Sequence, residues 1–102
     1  MTETCYIYAI GTDTKQKIGF SKNPEKRRCQ LQTGNSEVLS IHATIEVSHE
    51  NAALLEKHLH KDIAYKRLKG EWFDLSKSEV INYFEYVKIQ WADDEDNLRY
   101  KI

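Results

Sequence analysis

Several residue types are scarce in this chain of 102 residues, and their scarcity limits what the protein can be. Its two cysteines, Cys5 and Cys29, accompany an N-terminus without the basic and long apolar regions of a secretory signal, so we expect reduced thiols and a cytoplasmic protein. Apolar runs are only a few residues long, which excludes a membrane-spanning helix and predicts no membrane association. The four glycines do not form a phosphate-cradling loop motif, which argues against nucleotide hydrolysis.

The residues that are present indicate one folded domain. Hydrophobic residues make up 40% and charged residues 30%, which excludes a disordered chain. A chain of this length buries a modest core and is too short for separate cofactor and substrate lobes. We therefore expect a single domain over residues 1–102, acting as a monomer or weak dimer. Its core should span about residues 5–91, and an acidic tail at about 92–102 should be frayed or pack late.

The net charge of −1 conceals a strong asymmetry along the chain. Residues 15–28 carry six basic residues and one acid, and residues 57–69 carry five basic residues and one acid. Residues 70–96 carry eight acids and two lysines. Two basic segments favour an anionic partner such as nucleic acid on one surface, although a solvated surface of mixed charge is the plainer interpretation.

The hydrophobic pattern and the capping residues predict the order of secondary-structure elements. Strand patterns cover residues 5–10, 16–20 and 38–47, a short extended link covers 70–73, and helices begin at Pro24, Ser48 and Ser76. The second helix should end near Tyr65 and the third near Trp91. This order predicts an α+β fold in which a small three-stranded antiparallel or mixed sheet is flanked by three helices.

The first two strands should form a hairpin that brings polar groups together. A four-residue loop at 11–14 would pair Tyr8 with Lys17 and Tyr6 with Gly19, on a face that we expect to be exposed. The glycine should leave room for an incoming molecule. Ordinary cross-strand packing of tyrosines is the alternative.

Two helices contribute further candidates for a site. In the first, Leu31 should face the sheet, so Arg27 leans inward and needs an anionic partner, either a protein carboxylate or a substrate phosphate. In the second, Glu56 and His60 are one helical turn apart. They form either a simple surface pair or a metal-binding carboxylate with a polar neighbour.

Five blocks in this order resemble the GIY-YIG nuclease superfamily, and more narrowly its short phage-associated branch, often described as a DNA-binding domain. The blocks are Tyr6-Ile7-Tyr8, Lys17-Ile18-Gly19, NPEKRRCQLQTGN, ALLEKHLHK and GEWF. The resemblance covers about residues 5–75 and implies a nuclease fold. The chain departs from the pattern at Tyr6, which replaces a glycine, and at Lys17, which replaces a tyrosine.

The resemblance also implies roles for individual residues. Tyr8 would be the general base or position the water, Arg27 would bind the scissile phosphate, and Glu56 would hold Mg²⁺ or Mn²⁺. Lys17 would lower the pKa of Tyr8 and orient phosphate or water. Further candidates for contacting nucleic acid are Tyr6, Gly19, Lys22, Arg28 and His60.

These expectations combine into a Mg²⁺-dependent DNA endonuclease that hydrolyses phosphodiester bonds. A base, a cation for the developing charge and a carboxylate for the metal are the groups that such hydrolysis needs. Two alternatives stay open: a nucleic-acid-binding module of the same fold that does not cleave, and a protein-interaction domain that uses the acidic C-terminal segment.

Overall fold

The computed structural model describes residues 3–101, with side chains described through Trp91. Five strands and three α-helices follow one another along the chain, and a short 3₁₀ helix lies between the second α-helix and the fourth strand. Their bounds are β1 Thr4–Gly11, β2 Gln16–Ser21, α1 Pro24–Gln32, β3 Ser40–Ser48, α2 His49–Asp62, the 3₁₀ helix Ala64–Lys66, β4 Arg67–Lys69, β5 Trp72–Phe73 and α3 Lys77–Lys101.

The strands form one sheet in the order β3-β1-β2-β5-β4, with antiparallel pairing throughout. The α+β class and the three helices are thus confirmed, but the sheet has five strands where the sequence predicted three. The predicted link at 70–73 contains β5, which pairs with the beginning of β2, and β4 adds an edge beyond it. Strands of two and three residues are too short to show an alternating pattern, so their pairing supplies the evidence for them.

The predicted register of the first hairpin is wrong by two positions. Tyr8 lies opposite Gly19, and Ile10 lies opposite Lys17. The reason is the turn, which comes one residue later than expected. The backbone N–H of Thr12 donates to the carbonyl of Lys15 at 3.0 Å, and the Thr12 hydroxyl accepts from the N–H of Thr14 at 3.2 Å. Because side chains alternate with a period of two, Tyr8 and Lys17 still share a face, but as diagonal neighbours.

One face of the sheet packs against α2 and α3 and forms the main core. Apolar residues at helical spacing on both helices are buried there. The buried members are Ala52, Leu55, Leu59 and Ile63 from α2 and its C-terminal end, and Val80, Phe84 and Val87 from α3.

The opposite face carries a second, smaller cluster beneath α1. Tyr8, Ile10 and Leu39 are buried in it, and Leu31 of α1 packs against them, so its predicted orientation toward the sheet is confirmed. Helix α1 itself buries none of its nine residues fully. The helix therefore covers the sheet loosely and keeps its polar side chains near Tyr8.

Helix α3 continues through Lys101, so the helical backbone does not end near Trp91 as predicted. The acidic side chains after Trp91, and any separate tail at 92–102, lie outside the residues whose side chains are described. Over the described part of the chain, no helix combines the length and the apolar character needed to cross a membrane.

The predicted capping box of α3 is present. The Ser76 hydroxyl accepts from the N–H of Glu79 at 3.1 Å, and the Glu79 carboxylate accepts from the N–H of Ser76 at 2.8 Å. We expect Ser76→Ala to cost about 1 kcal/mol, which lowers Tm by about 4–8 °C in a domain of this size. Thermal unfolding followed by circular dichroism measures the loss. Ser36→Ala, in an exposed loop, is the control, and an equal loss there would contradict a capping role.

Candidate functional site

Tyr8 lies in the second cluster and is only 2% exposed, so the expected exposed tyrosine face is wrong at this position. Its ring crosses Gly19 on the neighbouring strand. A Cβ atom at residue 19 would lie 2.6 Å from the Tyr8 hydroxyl oxygen, which no real contact allows. The room at Gly19 that the sequence suggested for an incoming molecule is therefore filled by Tyr8 itself, and the glycine serves to admit this ring.

Arg27 of α1 binds the hydroxyl end of Tyr8. Its Nε donates to the Tyr8 oxygen at 3.3 Å, and its Nη1 donates to Gln30 at 3.4 Å. Burial raises the pKa of Tyr8, and the hydrogen bond and charge of Arg27 offset only part of that rise. The predicted lowering of this pKa by Lys17 is thus wrong, because burial dominates and the cation that contacts Tyr8 is Arg27.

Lys17 lies on the same face but points to a different partner. Its Nζ is 3.5 Å from a carboxylate oxygen of Glu71, and it lies over the Trp72 ring at 5.8 Å from the centroid. The Lys17 side chain is 14% exposed and that of Glu71 is 42% exposed, so only the lysine end of this ion pair is shielded from water. Strand β5 places Trp72 opposite Lys17, and the carbonyl of Glu71 accepts from the N–H of Ile18 at 3.1 Å. This backbone contact fixes Glu71 beside the sheet.

Beyond Ile18, two side chains of α2 occupy the edge of β2. The Nε2 atom of His60 donates to the carbonyl of Ile18 at 2.7 Å, which fixes the proton on that nitrogen because a carbonyl can only accept. Glu56, one helical turn before His60, lies near the Phe20 backbone, which lowers the pKa of its carboxyl. The His60 hydrogen bond attaches α2 to the strand and places Glu56 beside it.

Glu56, His60 and Glu71 form a partly buried cluster, in which one potential ligand atom from each lies within 4.8 Å of the others. Burial and the charge of Glu71 raise the pKa of Glu56, and His60, Phe20 and Lys17 lower it by less. The two carboxylates suit Mg²⁺, which prefers oxygen ligands at about 2.0–2.1 Å and keeps several waters. His60 has only Nδ1 left for another partner, so the two carboxylates are the better ligands.

The structure brings five of the candidate residues together around the middle of the β1-β2 pair. Tyr8 bonds to Arg27, the charges of Glu56 and Glu71 both raise the pKa of Tyr8, and Lys17 pairs with Glu71. His60 completes this group through α2. We call Tyr8, Lys17, Arg27, Glu56, His60 and Glu71 the central cluster.

Three other candidates lie in different surroundings. Lys22 forms an ion pair with Glu3, and Arg28 forms one with Glu25 at 2.6 Å along α1. Tyr6 lines a separate depression of about 400 Å³ on the β3 side of the sheet, together with Trp91. Tyr6 was a candidate because the predicted register paired it with Gly19, but it lies opposite Ser21. Lys22 and Arg28 are engaged by local ion pairs.

Glu71 is the member of the central cluster for which the sequence analysis proposed no role. Its block, GEWF, was noticed, but its position depends on the two-residue strand β5 that brings it to Ile18. Phe73 of the same block is fully buried in the main core. The sequence signal that could have identified Glu71 is its position directly before two aromatic residues of high strand propensity.

The surface beside the central cluster carries an open groove of about 650 Å³. Lys57, Lys61, Ala64 and Arg67 line it together with Glu56 and His60. The two basic segments differ here in their pairing. Four of the six basic residues in 15–28 form ion pairs, whereas within the described side chains none of the five basic residues in 57–69 does. The groove thus has an uncompensated positive rim.

Gly19→Ala is expected to displace the Tyr8 ring and weaken the domain. Forcing a methyl group into this contact should cost about 1–3 kcal/mol, the usual range for overpacking, and should break the hydrogen bond from Arg27. Chemical denaturation measures the cost. In a Tyr8→Leu background, which removes the hydroxyl oxygen and the ring, the same substitution should cost less than half as much. Equal costs in both backgrounds would show that the two residues do not compete for space.

Comparison with known families gives an assignment for most of the chain. The family model of the T5orf172 domain matches residues 3–88, a range that contains every member of the central cluster. The T5orf172 domain is phage-associated and related to nuclease-type domains. No curated protein and no solved structure matches the chain. The extent of the family match is decisive: the chain belongs to the T5orf172 domain family.

Proposed function

We propose that this protein is a Mg²⁺-dependent endonuclease of the GIY-YIG type that hydrolyses phosphodiester bonds in DNA. The observation that carries the proposal is the meeting of a hydrogen-bonded tyrosine–arginine pair with a carboxylate pair, brought from β1, α1, α2 and the residue before β5. Burying charged side chains costs folding free energy, and clusters of partly buried charges are frequent at functional sites. This arrangement therefore supports a functional site.

Arg27 is the group that would hold the phosphate. A guanidinium has five N–H donors, and the hydrogen bonds to Tyr8 and Gln30 occupy two of its three nitrogens. The remaining donors suit a phosphate oxygen, and the fixed positive charge opposes the negative charge that develops during hydrolysis. The hydrogen bond to Tyr8 pre-organises the guanidinium before any substrate binds.

Tyr8 would position water or phosphate and would not act as the base. Its raised pKa keeps the hydroxyl protonated near neutral pH, and a protonated phenol cannot accept a proton as a strong base. The oxygen accepts from Arg27, which leaves its own proton free to donate to a phosphate oxygen or an attacking water. Of the two roles that the family resemblance implies, positioning therefore fits this geometry better.

Glu56 and Glu71 would hold the divalent cation. When bound there, Mg²⁺ or Mn²⁺ would supply a Lewis acid that stabilises charge on the phosphate and the leaving oxygen. His60 keeps Glu56 in place through α2, and Lys17 limits the repulsion between the carboxylates through its ion pair with Glu71. In the reaction, the oxygen of water bonds to phosphorus as the bond to the 3′ oxygen breaks, the attacking water releases a proton to solvent, and the departing 3′ oxygen takes one up from solvent. The resemblance implies products with a 5′-phosphate and a 3′-hydroxyl.

A second candidate function is a nucleic-acid-binding module that does not cleave. The burial of Tyr8 at 2% exposure favours it, since a reacting hydroxyl must reach the substrate. Lys17 also favours it, because the GIY-YIG nucleases that this sequence resembles carry a tyrosine at that position and because Lys17 forms an ion pair with Glu71. Both functions require the basic groove and the same dependence of affinity on salt, so binding measurements do not separate them.

Metal-dependent turnover separates the two functions. Purified protein is incubated with end-labelled single-stranded and duplex DNA in Mg²⁺, in Mn²⁺ and in excess EDTA, and the products are resolved by gel electrophoresis. Cleavage that requires the metal and disappears in Glu56→Gln supports the endonuclease. Binding without cleavage of any DNA or RNA form supports the module. An absence of both, even at about 50 mM salt where phosphate contacts persist, would favour the protein-interaction alternative.

A further inference from the structure

Residues 64–69 form an outer rim beside the groove, and this segment exposes apolar side chains that most of the domain buries. Tyr65 is 81% exposed and Leu68 is 57% exposed, whereas most of the large hydrophobic residues pack into the two clusters. Lys66, Arg67 and Lys69 alternate with them in sequence. Basic residues interleaved with exposed aromatic and apolar ones are typical of surfaces that bind nucleic-acid strands.

The backbone of the outer rim turns Leu68 away from the sheet. Arg67 pairs with Phe73 and Lys69 with Trp72, so two steps along β4 oppose one step along β5 and Leu68 is the extra, bulged residue. Bulges of this kind re-aim side chains, and they are frequent beside active sites. The turn that follows depends on Gly70, whose φ of 58° suits glycine. The exposure of Leu68 is thus built into the strand pairing.

Protection of a sheet edge explains only part of this composition. Lysines on an exposed edge strand discourage pairing with another chain, and β4 is such an edge. The same purpose would be served by polar residues at positions 65 and 68, whereas a tyrosine and a leucine oppose it. The exposed pair therefore needs a different explanation.

Stacked side chains connect the outer rim to the central cluster. The Arg67 guanidinium lies over the Phe73 ring at 5.4 Å from its centroid, and the Phe73 ring lies 5.1 Å from that of His60. Arg67 and His60 both line the groove together with Glu56. Lys66 lies beside the Tyr65 ring at 5.8 Å, so a cation accompanies the aromatic face. Ala64, the residue before Tyr65, lines the same groove, so a strand lying in the groove would contact Glu56 and pass beside the outer rim.

We propose that the outer rim binds unpaired nucleotides of the strand that enters the central cluster, with Tyr65 stacking on a base. Lys66, Arg67 and Lys69 would contact the phosphates on either side, since within the described part of the chain no carboxylate pairs with them. In a duplex, each base is covered by its neighbours and offers no face to a side chain on an open surface. The substrate class is therefore a single strand, or a duplex with a single-stranded end or gap. This inference rests on the proposed function for the identity of the site that the strand enters.

Fluorescence anisotropy with two probes tests the stacking directly. One probe is a labelled oligothymidine of about 12 nucleotides, a length that a small binding domain covers, and the other is an abasic strand of the same length. EDTA is present, so no cleavage interferes. We expect Tyr65→Ala to weaken binding of oligothymidine between about 5-fold and 100-fold, the usual effect of losing one stacked base, and to leave the abasic probe unchanged. Tyr65→Trp should retain the affinity.

Tyr86→Ala is the matched control, because Tyr86 is a second exposed tyrosine, 56% exposed, on α3. It should bind both probes as the parent does. Circular dichroism should show all variants folded, since both tyrosines are largely exposed. Oligouridine in place of oligothymidine shows whether the preference extends to RNA.

Unchanged oligothymidine binding by Tyr65→Ala would overturn the stacking role, and so would an equal loss for both probes. A parent protein that cleaves duplex DNA but does not bind the single strand would overturn the inference while the endonuclease stands. A parent that shows Tyr65-dependent binding and never cleaves would support the inference and refute the endonuclease. A parent that binds no strand of either kind would overturn both.

Discussion

Replacing Glu56 with glutamine is expected to lower the rate of DNA cleavage at least about 10²-fold, the usual loss when one pre-organised electrostatic group is removed. The substitution removes one of the two carboxylates that would hold the metal and keeps the size of the side chain. Binding of DNA should stay the same or become tighter, because a negative charge near the phosphates disappears. Single-turnover cleavage and anisotropy with the same DNA substrate measure the two effects separately.

The same substitution should make the folded protein more stable near neutral pH. Burial raises the pKa of Glu56, so the folded state binds a proton more readily than the unfolded state. Above the folded pKa the charged carboxylate costs stability, and below the unfolded pKa the acid is neutral in both states and that cost vanishes. Glu56→Gln should therefore raise Tm at pH 7 to 8 by an amount that shrinks to zero on acidification, as linkage requires.

Added Mg²⁺ should change the difference in Tm between the two proteins in the opposite direction, because it should raise the Tm of the parent and not that of Glu56→Gln. A cation that binds only the folded state raises Tm, so added Mg²⁺ should stabilise the parent and leave Glu56→Gln unchanged. Glu50→Gln, an exposed acid in the first turn of the same helix, is the matched control and should cleave at the parental rate. Full activity in Glu56→Gln would rule out the proposed metal site.

The parts of the fold that were predictable from the sequence are those with a helical hydrophobic pattern over several turns or with recognisable helix-capping residues. Helix α1 begins where Asn23 and Pro24 predict, and the Asn23 side chain accepts from Lys26 at 3.0 Å. Helix α3 begins at its capping box. The stripe on α2 placed Glu56 and His60 beside the core boundary, because residues one turn apart share a helical face. Interactions between residues that are close in the sequence determine these features.

The parts that were not predictable depend on contacts between distant segments. The hairpin register followed from the hydroxyl of Thr12, whose two backbone hydrogen bonds move the turn by one residue. Glu71 reached Ile18 through a two-residue strand that has meaning only when β2 lies beside it. The burial of Tyr8 required α1 and Leu39 to cover a sheet face whose alternation looked half-solvated. A register shift of two positions keeps each side chain on the same face of the sheet, so Tyr8 and Lys17 were still placed on one face. Five residues of the central cluster were identified from the sequence, although Glu71 and the contacts between the six were not.

Arg27→Ala is expected to reduce cleavage at least about 10²-fold and, unlike Glu56→Gln, to weaken DNA binding. The guanidinium is the one cation that contacts Tyr8 among the described side chains, and its removal leaves the buried tyrosine hydroxyl without that donor. Loss of a single phosphate contact should also reduce the slope of log affinity against log salt by about one. Anisotropy titrations across a range of salt concentrations measure this slope.

Arg27→Lys should rescue little of the lost rate. An ammonium carries the same charge, but it lacks the planar fork that reaches Tyr8 and Gln30 while further donors stay free for phosphate. Lys26→Ala, which removes an exposed charge from the neighbouring position of α1, is the control and should change the rate only a few-fold. If Arg27→Lys cleaves as fast as the parent, charge alone is sufficient and the hydrogen bond to Tyr8 has no part in positioning the phosphate. If Lys26→Ala loses as much activity as Arg27→Ala, the effect belongs to the general charge of α1 and the specific role of Arg27 is refuted.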